Sequence, residues 1–136
     1  MSFKKCLLGL AIASMGCISI AGNATPLTTV NNTSVDSTSI IHNPLGINKC
    51  SSDLLGEGGI TRAGKKNTVS ETSLRLACAL TPNECVADVY ASANCTGELI
   101  ATVKFSLKNG VYSSEQKSNK YILTASGFNV VLDEVK

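Results

Sequence analysis

The cysteines are the residues of this chain whose types and spacing could do chemistry. Cys78 and Cys85 flank a Thr-Pro-Asn turn in the stretch CALTPNEC, while Cys50 and Cys95 lie further out on either side. Zinc sites usually pair cysteines roughly two to four residues apart, with a second pair or with histidines. Thiol oxidoreductases need two cysteines separated by about two residues. Neither spacing occurs here, and His42 is the single histidine. The pattern therefore predicts structural disulfides, no metal site and no cofactor.

Groups that could support enzyme catalysis are sparse. A serine or cysteine hydrolase needs a base, most often histidine, and His42 lies in a segment that we expect to be flexible. Carboxylate pairs can act as acid and base, and Glu84 with Asp88 is one such pair in this chain. Solvated surface charge explains such pairs more often. We therefore predict that the protein is not an enzyme; a pocket that brought Glu84, Asp88 or Tyr90 to a second carboxylate would favour one.

A Gly-rich, basic segment is the candidate binding site. Arg62, Lys65 and Lys66 fall within five positions, with glycines beside them whose backbone amides can approach an anion. A phosphorylated lipid headgroup or an acidic glycan would suit these cations; a solvated loop without a ligand is the alternative. The stretch from Gly59 to Lys65 also matches the first part of a P-loop, but Lys66 stands where that motif needs Ser or Thr. The sequence therefore predicts no nucleotide site.

The first 24 residues predict export. A start with two lysines precedes an apolar run from Leu7 to Ile20, and small residues lead up to Ala24, which is the arrangement of a secretory signal peptide cleaved after Ala24. A retained membrane helix is one alternative, although polar and small residues dilute the run. A lipoprotein cut before Cys17 is the other, although Ser14 stands where a branched apolar residue is expected. We expect no integral membrane segment after cleavage.

Removal of the signal peptide changes the charge and the cysteine count. The full chain has 12 Lys and Arg against 10 Asp and Glu, and because Lys4 and Lys5 leave with the signal, the mature chain is neutral. Nucleic-acid binding usually shows a basic field and stacking aromatics, so nucleic acid is excluded as a partner. Cys6 and Cys17 also leave. The even number of cysteines that remains in an exported chain predicts a disulfide framework.

The mature chain divides into a leader and a β domain. Residues 25–48 are rich in Thr, Ser and Asn, which predicts a flexible leader with one short strand near Ile40. Residues 49–67 are Gly-rich and basic, and are read as a long loop tethered by Cys50. From about residue 70 to the end, apolar and polar residues alternate. We therefore predict an all-β domain over residues 49–136.

Alternation with period two predicts about six strands, joined by short turns into a small antiparallel meander or sandwich. Asn109-Gly110 is the dipeptide that best fits a type I′ hairpin. The predicted strands lie in SLRLACAL, CVADVYA, ELIATVKFSL, the segment 111–114, YILTA and FNVVLDEV. A short helix over residues 69–80 is the alternative for the first of these, because Thr68–Glu71 resembles a capping box and Leu74 and Cys78 have helical spacing.

The predicted hairpin around CALTPNEC sets the disulfide pairing. If Leu80–Asn83 is its loop, Cys78 and Cys85 are directly opposed, with Cα atoms roughly 4.5 to 5.5 Å apart, which a disulfide accepts. By elimination the second bridge is Cys50 to Cys95. A bridge from Cys85 to Cys95 is the competing arrangement, and it would have to span a strand that runs away from Cys85.

The stretches CALTPNEC, VYASANCTGELIATVKF and GFNVVL resemble small exported, disulfide-containing proteins of unknown function from intracellular Gram-negative bacteria, some of them type II secretion substrates. The resemblance covers the C-terminal part of the chain and brings no catalytic residues with it. It implies secretion beyond the periplasm and a role at a host interface.

These features together predict a secreted, non-enzymatic binding module. Its expected partner is a host protein, glycan or lipid, which it meets after passing through the periplasm. The alternative is a structural or protective factor of the periplasm or envelope, such as an inhibitor or a pilus-like subunit. Recovery from the culture medium favours the first function, and retention in the periplasm favours the second.

Overall fold

A computed structural model describes residues 25–45 and 48–136 of the chain. The predicted signal peptide lies outside these residues. The described part forms eight strands and two short α-helices. The strands are β1 (Leu27–Asn31), β2 (Thr38–Ile41), β3 (Lys66–Val69), β4 (Cys85–Ala91), β5 (Glu98–Ser106), β6 (Gly110–Gln116), β7 (Tyr121–Ser126) and β8 (Asn129–Glu134); the helices are α1 (Ser51–Leu55), followed by a 3-10 turn (Gly56–Gly59), and α2 (Glu71–Ala77).

The strands form two four-stranded sheets, with the orders β3-β1-β8-β7 and β2-β4-β5-β6. Neighbouring strands are antiparallel except β1 and β8, which are parallel. The core lies between the sheets, because its buried members come from both of them and from α2. The prediction of an all-β sandwich with two disulfides is confirmed, although the strands outnumber the predicted six because three of them precede residue 70.

The two sheets meet along one edge, where β6 lies beside β7. The Val111 amide donates to the Gly127 carbonyl at 2.7 Å, forming a bridge between the sheets. A Cβ on Gly110 would lie 2.3 Å from the Gly127 carbonyl carbon, so only glycine fits this approach. The type I′ turn predicted at Asn109-Gly110 is wrong. Such a turn needs a positive φ at both of these residues, but only Gly110 of the two has one, 80°, and a three-residue turn over 107–109 joins β5 to β6.

A short helical segment joins the opposite edges of the sheets, β2 and β3. The Ser51 hydroxyl on α1 accepts the Ser39 amide of β2 at 3.0 Å, and the Asn67 side-chain amide of β3 donates to the Gly58 carbonyl at 2.8 Å. The sandwich is therefore closed by strands on one side and by α1 with its 3-10 turn on the other.

Helix α2 shows that the strand predicted for SLRLACAL is wrong and that the alternative helix forms instead. The Ser70 hydroxyl caps the helix by accepting the Ser73 amide at 3.1 Å. Leu74 and Cys78, four residues apart, are buried, whereas Leu76, which would share their face in a strand, is 76% exposed. Side chains four residues apart lie on one face of a helix, whereas Leu74, Leu76 and Cys78 would all be buried together in a strand.

Both predicted disulfides form, with Cα–Cα distances of 5.7 Å for Cys78–Cys85 and 5.9 Å for Cys50–Cys95. Cys78 follows α2 and Cys85 begins β4. The first bridge therefore joins a helix end to a strand, and not two strands of the predicted hairpin. The second bridge holds the start of α1 against the loop between β4 and β5.

The flexible leader predicted for residues 25–48 differs from the structure, which places β1 and β2 there. The short strand predicted near Ile40 is β2. Because β1 pairs with both β3 and β8, it lies inside its sheet. The β domain therefore begins before residue 49.

A buried amide explains how this polar segment folds. Asn31 is fully buried, and its side-chain nitrogen donates to the carbonyls of Val35 and Thr61 at 2.8 and 2.9 Å. Its oxygen accepts the amide and the hydroxyl of Thr33 at 3.0 and 2.6 Å. Every donor and acceptor of the amide is used, so its burial carries no penalty for an unmade hydrogen bond.

We expect the two disulfides to contribute unequally to stability. The Cys50–Cys95 bridge spans 45 positions and the Cys78–Cys85 bridge spans 7. On the chain-entropy model, the double substitution of Cys50 and Cys95 by Ala should lower the free energy of unfolding by about 4 kcal/mol, and that of Cys78 and Cys85 by about 2.5 kcal/mol. Urea unfolding of the two double variants measures the difference. Equal losses, or the reverse order, would contradict this expectation.

Candidate ligand-binding cavity

A cavity of about 400 Å³ lies between the two sheets. Inward-facing side chains from both sheets and from α2 form its walls, and these are mainly apolar. The principal wall residues are Leu74, Val89, Val103, Phe105, Leu123 and Val130. Since the sheets meet at β6 and β7 but are held apart at β2 and β3, the space widens toward the side that carries the two helices.

Small side chains on the walls keep this space unfilled. Ala87 and Val89 face inward from β4, Thr29 lines the cavity from β1, and Ala77 lines it from α2. Protein interiors normally pack with few voids larger than a water molecule. Larger residues at these positions would fill the gap between the sheets, so the wall composition itself accounts for the cavity.

Two of the hydroxyls on the walls, those of Thr38 and Ser51, have partners within the protein. The Thr38 hydroxyl donates to the Ser92 carbonyl at 2.9 Å and accepts the Cys95 amide at 2.9 Å. The Ser51 hydroxyl donates to the Gly59 carbonyl at 2.6 Å. These two groups need no polar ligand, and because most of the lining surface is apolar, the cavity suits apolar matter.

Four of the lining residues are exposed, and they mark the mouth of the cavity: Lys49, Leu54, Leu55 and Leu76. The three leucines are 52%, 41% and 76% exposed. Two of them lie on α1 and the third on α2, so the mouth opens between the helices on the side of β2 and β3. Apolar surface is therefore continuous from solvent into the cavity, which is a common feature of binding grooves.

Lys49 is the one ionisable side chain among the described residues that line the cavity. In residues 25–45 and 48–136, no carboxylate lies within 4.0 Å of its ammonium group. The backbone of Lys49 is held at the mouth, because the next residue, Cys50, forms the disulfide with Cys95. The mouth therefore combines one positive charge with three leucines.

The basic segment that the sequence singled out is organised differently. Arg62 is held by two carboxylates: its Nη1 lies 2.7 Å from Asp36 Oδ2, and its Nε and Nη2 each lie 2.7 Å from a Glu57 carboxylate oxygen. Lys65 and Lys66 are exposed nearby. The three cations therefore do not form one free anion-binding surface, because Arg62 ties the loop before β3 to the β1–β2 loop and to the 3-10 turn.

The same contacts lower the pKa of both carboxyl groups. The backbone amide of Ala63, at 2.9 Å, and then the Arg62 guanidinium stabilise the charged form of Asp36, so its pKa lies below the ordinary value. The hydrogen bonds from Arg62 lower the pKa of Glu57. A carboxyl whose folded pKa is lowered contributes stability above its ordinary pKa, about 4, and loses it as the pH falls.

We expect Arg62→Met to weaken the acid sensitivity of the fold. The wild-type free energy of unfolding should fall as the pH drops through about 4 and below, because the unfolded chain then binds more protons than the folded one. The variant should start less stable at neutral pH and fall less steeply. Urea unfolding at a series of pH values measures both slopes.

Arg75→Met is the matched control, because Arg75 is 68% exposed and pairs with one carboxylate, that of Glu71 one helical turn away, and such helical pairs contribute little. It should keep the wild-type dependence on pH. If Arg62→Met also kept the full wild-type slope, the proposed contribution of this cluster to acid sensitivity would be wrong.

The acidic residues considered for catalysis lie apart from the cavity. Glu84 pairs with Lys104 at 3.3 Å. Asp88 lies on the outer face of its sheet, where it contacts His42 Nε2 at 2.7 Å and accepts the Thr102 hydroxyl at 2.6 Å. The structure therefore does not bring Glu84 and Asp88 together as an acid and a base.

The described residues contain neither a metal-binding cluster nor a membrane-spanning helix. Within the part of the chain that the structure covers, no three His, Cys, Asp or Glu side chains are grouped closely enough to hold a metal ion. None of the helices found there has the length and apolar character needed to cross a membrane.

No cavity residue was predicted from the sequence to bind a ligand. The available signal was the pair Leu54-Leu55, which stands in a Gly-rich, basic segment where apolar residues have no strand or helix pattern to explain them. The wall residues were recognised only as the inward faces of strands, since the space between two sheets cannot be read from the alternation within each strand.

Comparisons with known proteins agree on one family. A model of the family described as the type II secretion system substrate NttC matches residues 1–135. The crystal structure of the Legionella pneumophila type II secretion system substrate NttC has a similar fold, with a TM-score of 0.61 and 24% sequence identity, over 81% of this chain and 97% of that one. No curated protein matches the chain.

Proposed function

Because the chain belongs to the NttC family of type II secretion substrates, we propose that it acts outside the cell as a non-enzymatic binding protein that encloses an apolar ligand between its two sheets. Family membership makes it a secreted protein and agrees with the resemblance noted from its sequence. The observation that carries the binding role is the apolar cavity of about 400 Å³ that opens between α1 and α2.

The size and lining of the cavity support this proposal. Ligand sites in proteins commonly have volumes of about 300 to 1,000 Å³, mainly apolar walls and a few placed polar groups. The wall hydroxyls of Thr38 and Ser51 are hydrogen-bonded within the protein, and among the described lining residues the charge is confined to Lys49 at the mouth. In a small domain, so large an unfilled apolar space is better explained by a ligand than by loose packing.

The chemistry of the lining supports binding over catalysis. Acid–base catalysis needs a group that takes a proton and a group that gives one. Among the described lining residues, Lys49 is the single ionisable group. The carboxylates proposed as catalysts lie elsewhere, Glu84 with Lys104 and Asp88 with His42.

An apolar cavity also discriminates among the partners that the sequence left open. A glycan presents hydroxyl groups and a folded protein presents a largely polar surface, and burying either against apolar walls would leave hydrogen bonds unmade. A lipid from a host membrane would match the walls. The proposal is therefore a lipid ligand at the host interface.

Filling the cavity should abolish binding. Val89→Phe adds bulk from β4 into the space between the sheets, and it should reduce the affinity for the neutral fluorescent probe N-phenyl-1-naphthylamine by about tenfold or more. Val86→Phe is the matched control: it is the same substitution on the same strand, but residue 86 does not line the cavity and faces the opposite side. Fluorescence titration measures both, and circular dichroism confirms folding.

Thr29→Phe fills the cavity from the other sheet and serves as a second blocking variant if Val89→Phe does not fold. Loss of probe binding in a folded blocking variant, with binding retained in Val86→Phe, supports the proposal. Wild-type protein that does not bind the probe, or a folded blocking variant that binds it as well as wild type, would refute it.

A further inference from the structure

We infer that the ligand of the cavity is an amphiphile with one alkyl chain and an anionic head group, its chain between the sheets and its head beside Lys49. This inference rests on the proposed binding function and names the chemical class of the ligand. It draws on two independent features of the cavity, its volume and the placement of its charge.

The volume sets the size of the apolar part. A water-sized group occupies roughly 30 Å³, and the cavity holds about 400 Å³. It therefore accommodates at least about a dozen carbon atoms on that scale, which is enough for one medium-length alkyl chain. The walls contacted by such a chain come from Val89, Val103, Phe105 and Leu123.

The charge at the mouth sets the nature of the head group. Lys49 lines the mouth, and the described lining residues include no acidic side chain. An ammonium group without a carboxylate partner, at the border between water and an apolar wall, attracts an anion more strongly than it would in bulk water. A neutral head could accept a hydrogen bond from the ammonium group but would lack the attraction between opposite charges, and a cationic head would be repelled.

The other basic residues of this region do not serve the cavity. Arg62 is engaged by Asp36 and Glu57. Lys65 and Lys66 are exposed but are not among the lining residues. On β3 the side chains of Asn67 and Val69 line the cavity, so Lys66 points to the opposite face of that strand. Lys49 is therefore the cation that a head group in the mouth would meet.

Competition with the bound probe tests the inference. Dodecanoate and 1-dodecanol have the same chain and differ in head group, and the carboxylate is ionised at neutral pH. Both should displace N-phenyl-1-naphthylamine from wild-type protein. The ratio of the affinity for dodecanoate to the affinity for dodecanol should be about two- to fivefold higher in wild type than in Lys49→Gln, which is the effect expected of a partly exposed ion pair. The preference should shrink at high salt.

Lys66→Gln is the matched control, since it removes another exposed lysine, one that lies outside the cavity lining. It should keep the wild-type preference for dodecanoate. An unchanged preference for dodecanoate in Lys49→Gln, or an equal loss of that preference in Lys66→Gln, would overturn the assignment of the anionic head group. Displacement of the probe by both amphiphiles would in that case still support ligand binding in the cavity. If neither amphiphile displaces the probe from wild type and Val89→Phe leaves probe binding intact, the proposed binding function itself fails.

Discussion

The disulfide between Cys50 and Cys95 is the constraint on which the cavity depends. It fixes the residue before α1 against the β4–β5 loop, so that α1 lies at the edge of the sheets. Leu54 and Leu55 remain 52% and 41% exposed there, although full burial of a leucine side chain is worth roughly 1.5 to 3 kcal/mol and the space beside them is empty of protein atoms. The tether therefore keeps apolar side chains at the mouth and leaves the interior unfilled by the protein's own side chains.

The two edges of the sandwich have opposite roles. At the β6–β7 edge, the contact of Gly110 with Gly127 brings the backbones of both sheets together. At the other edge, Ser51 and Asn67 connect α1 and its 3-10 turn to the edge strands. A wedge-shaped interior follows from this difference, because the sheets cannot pack closely where a helical segment stands between their edges. The apolar walls and the single charge of the mouth then decide what can enter.

Local pattern was sufficient to predict part of this architecture. Period-two alternation identifies β4 to β8, and the count of cysteines left after cleavage predicts two bridges. Their correct pairing was derived from a hairpin in whose place the structure has the end of α2. Strand β1 could not be predicted, because the partners of a polar residue such as Asn31 exist only in the folded chain. Arg62 resembled an anion ligand because the sequence does not reveal that Asp36, 26 positions away, meets it. The cavity results from small residues such as Ala87 on facing sheets, and no pattern within one strand reports the distance to the other sheet.

Isotope-filtered NMR of the mature protein with unlabelled dodecanoate tests the central claim most directly. We expect intermolecular nuclear Overhauser effects from the alkyl chain to methyl groups of both sheets, those of Val89 and Val103 on one side and Leu123 on the other, and none to Val86 on the outer face. Effects confined to surface methyl groups, or none at a saturating concentration of ligand, would contradict the account that this family member encloses an alkyl chain between its sheets.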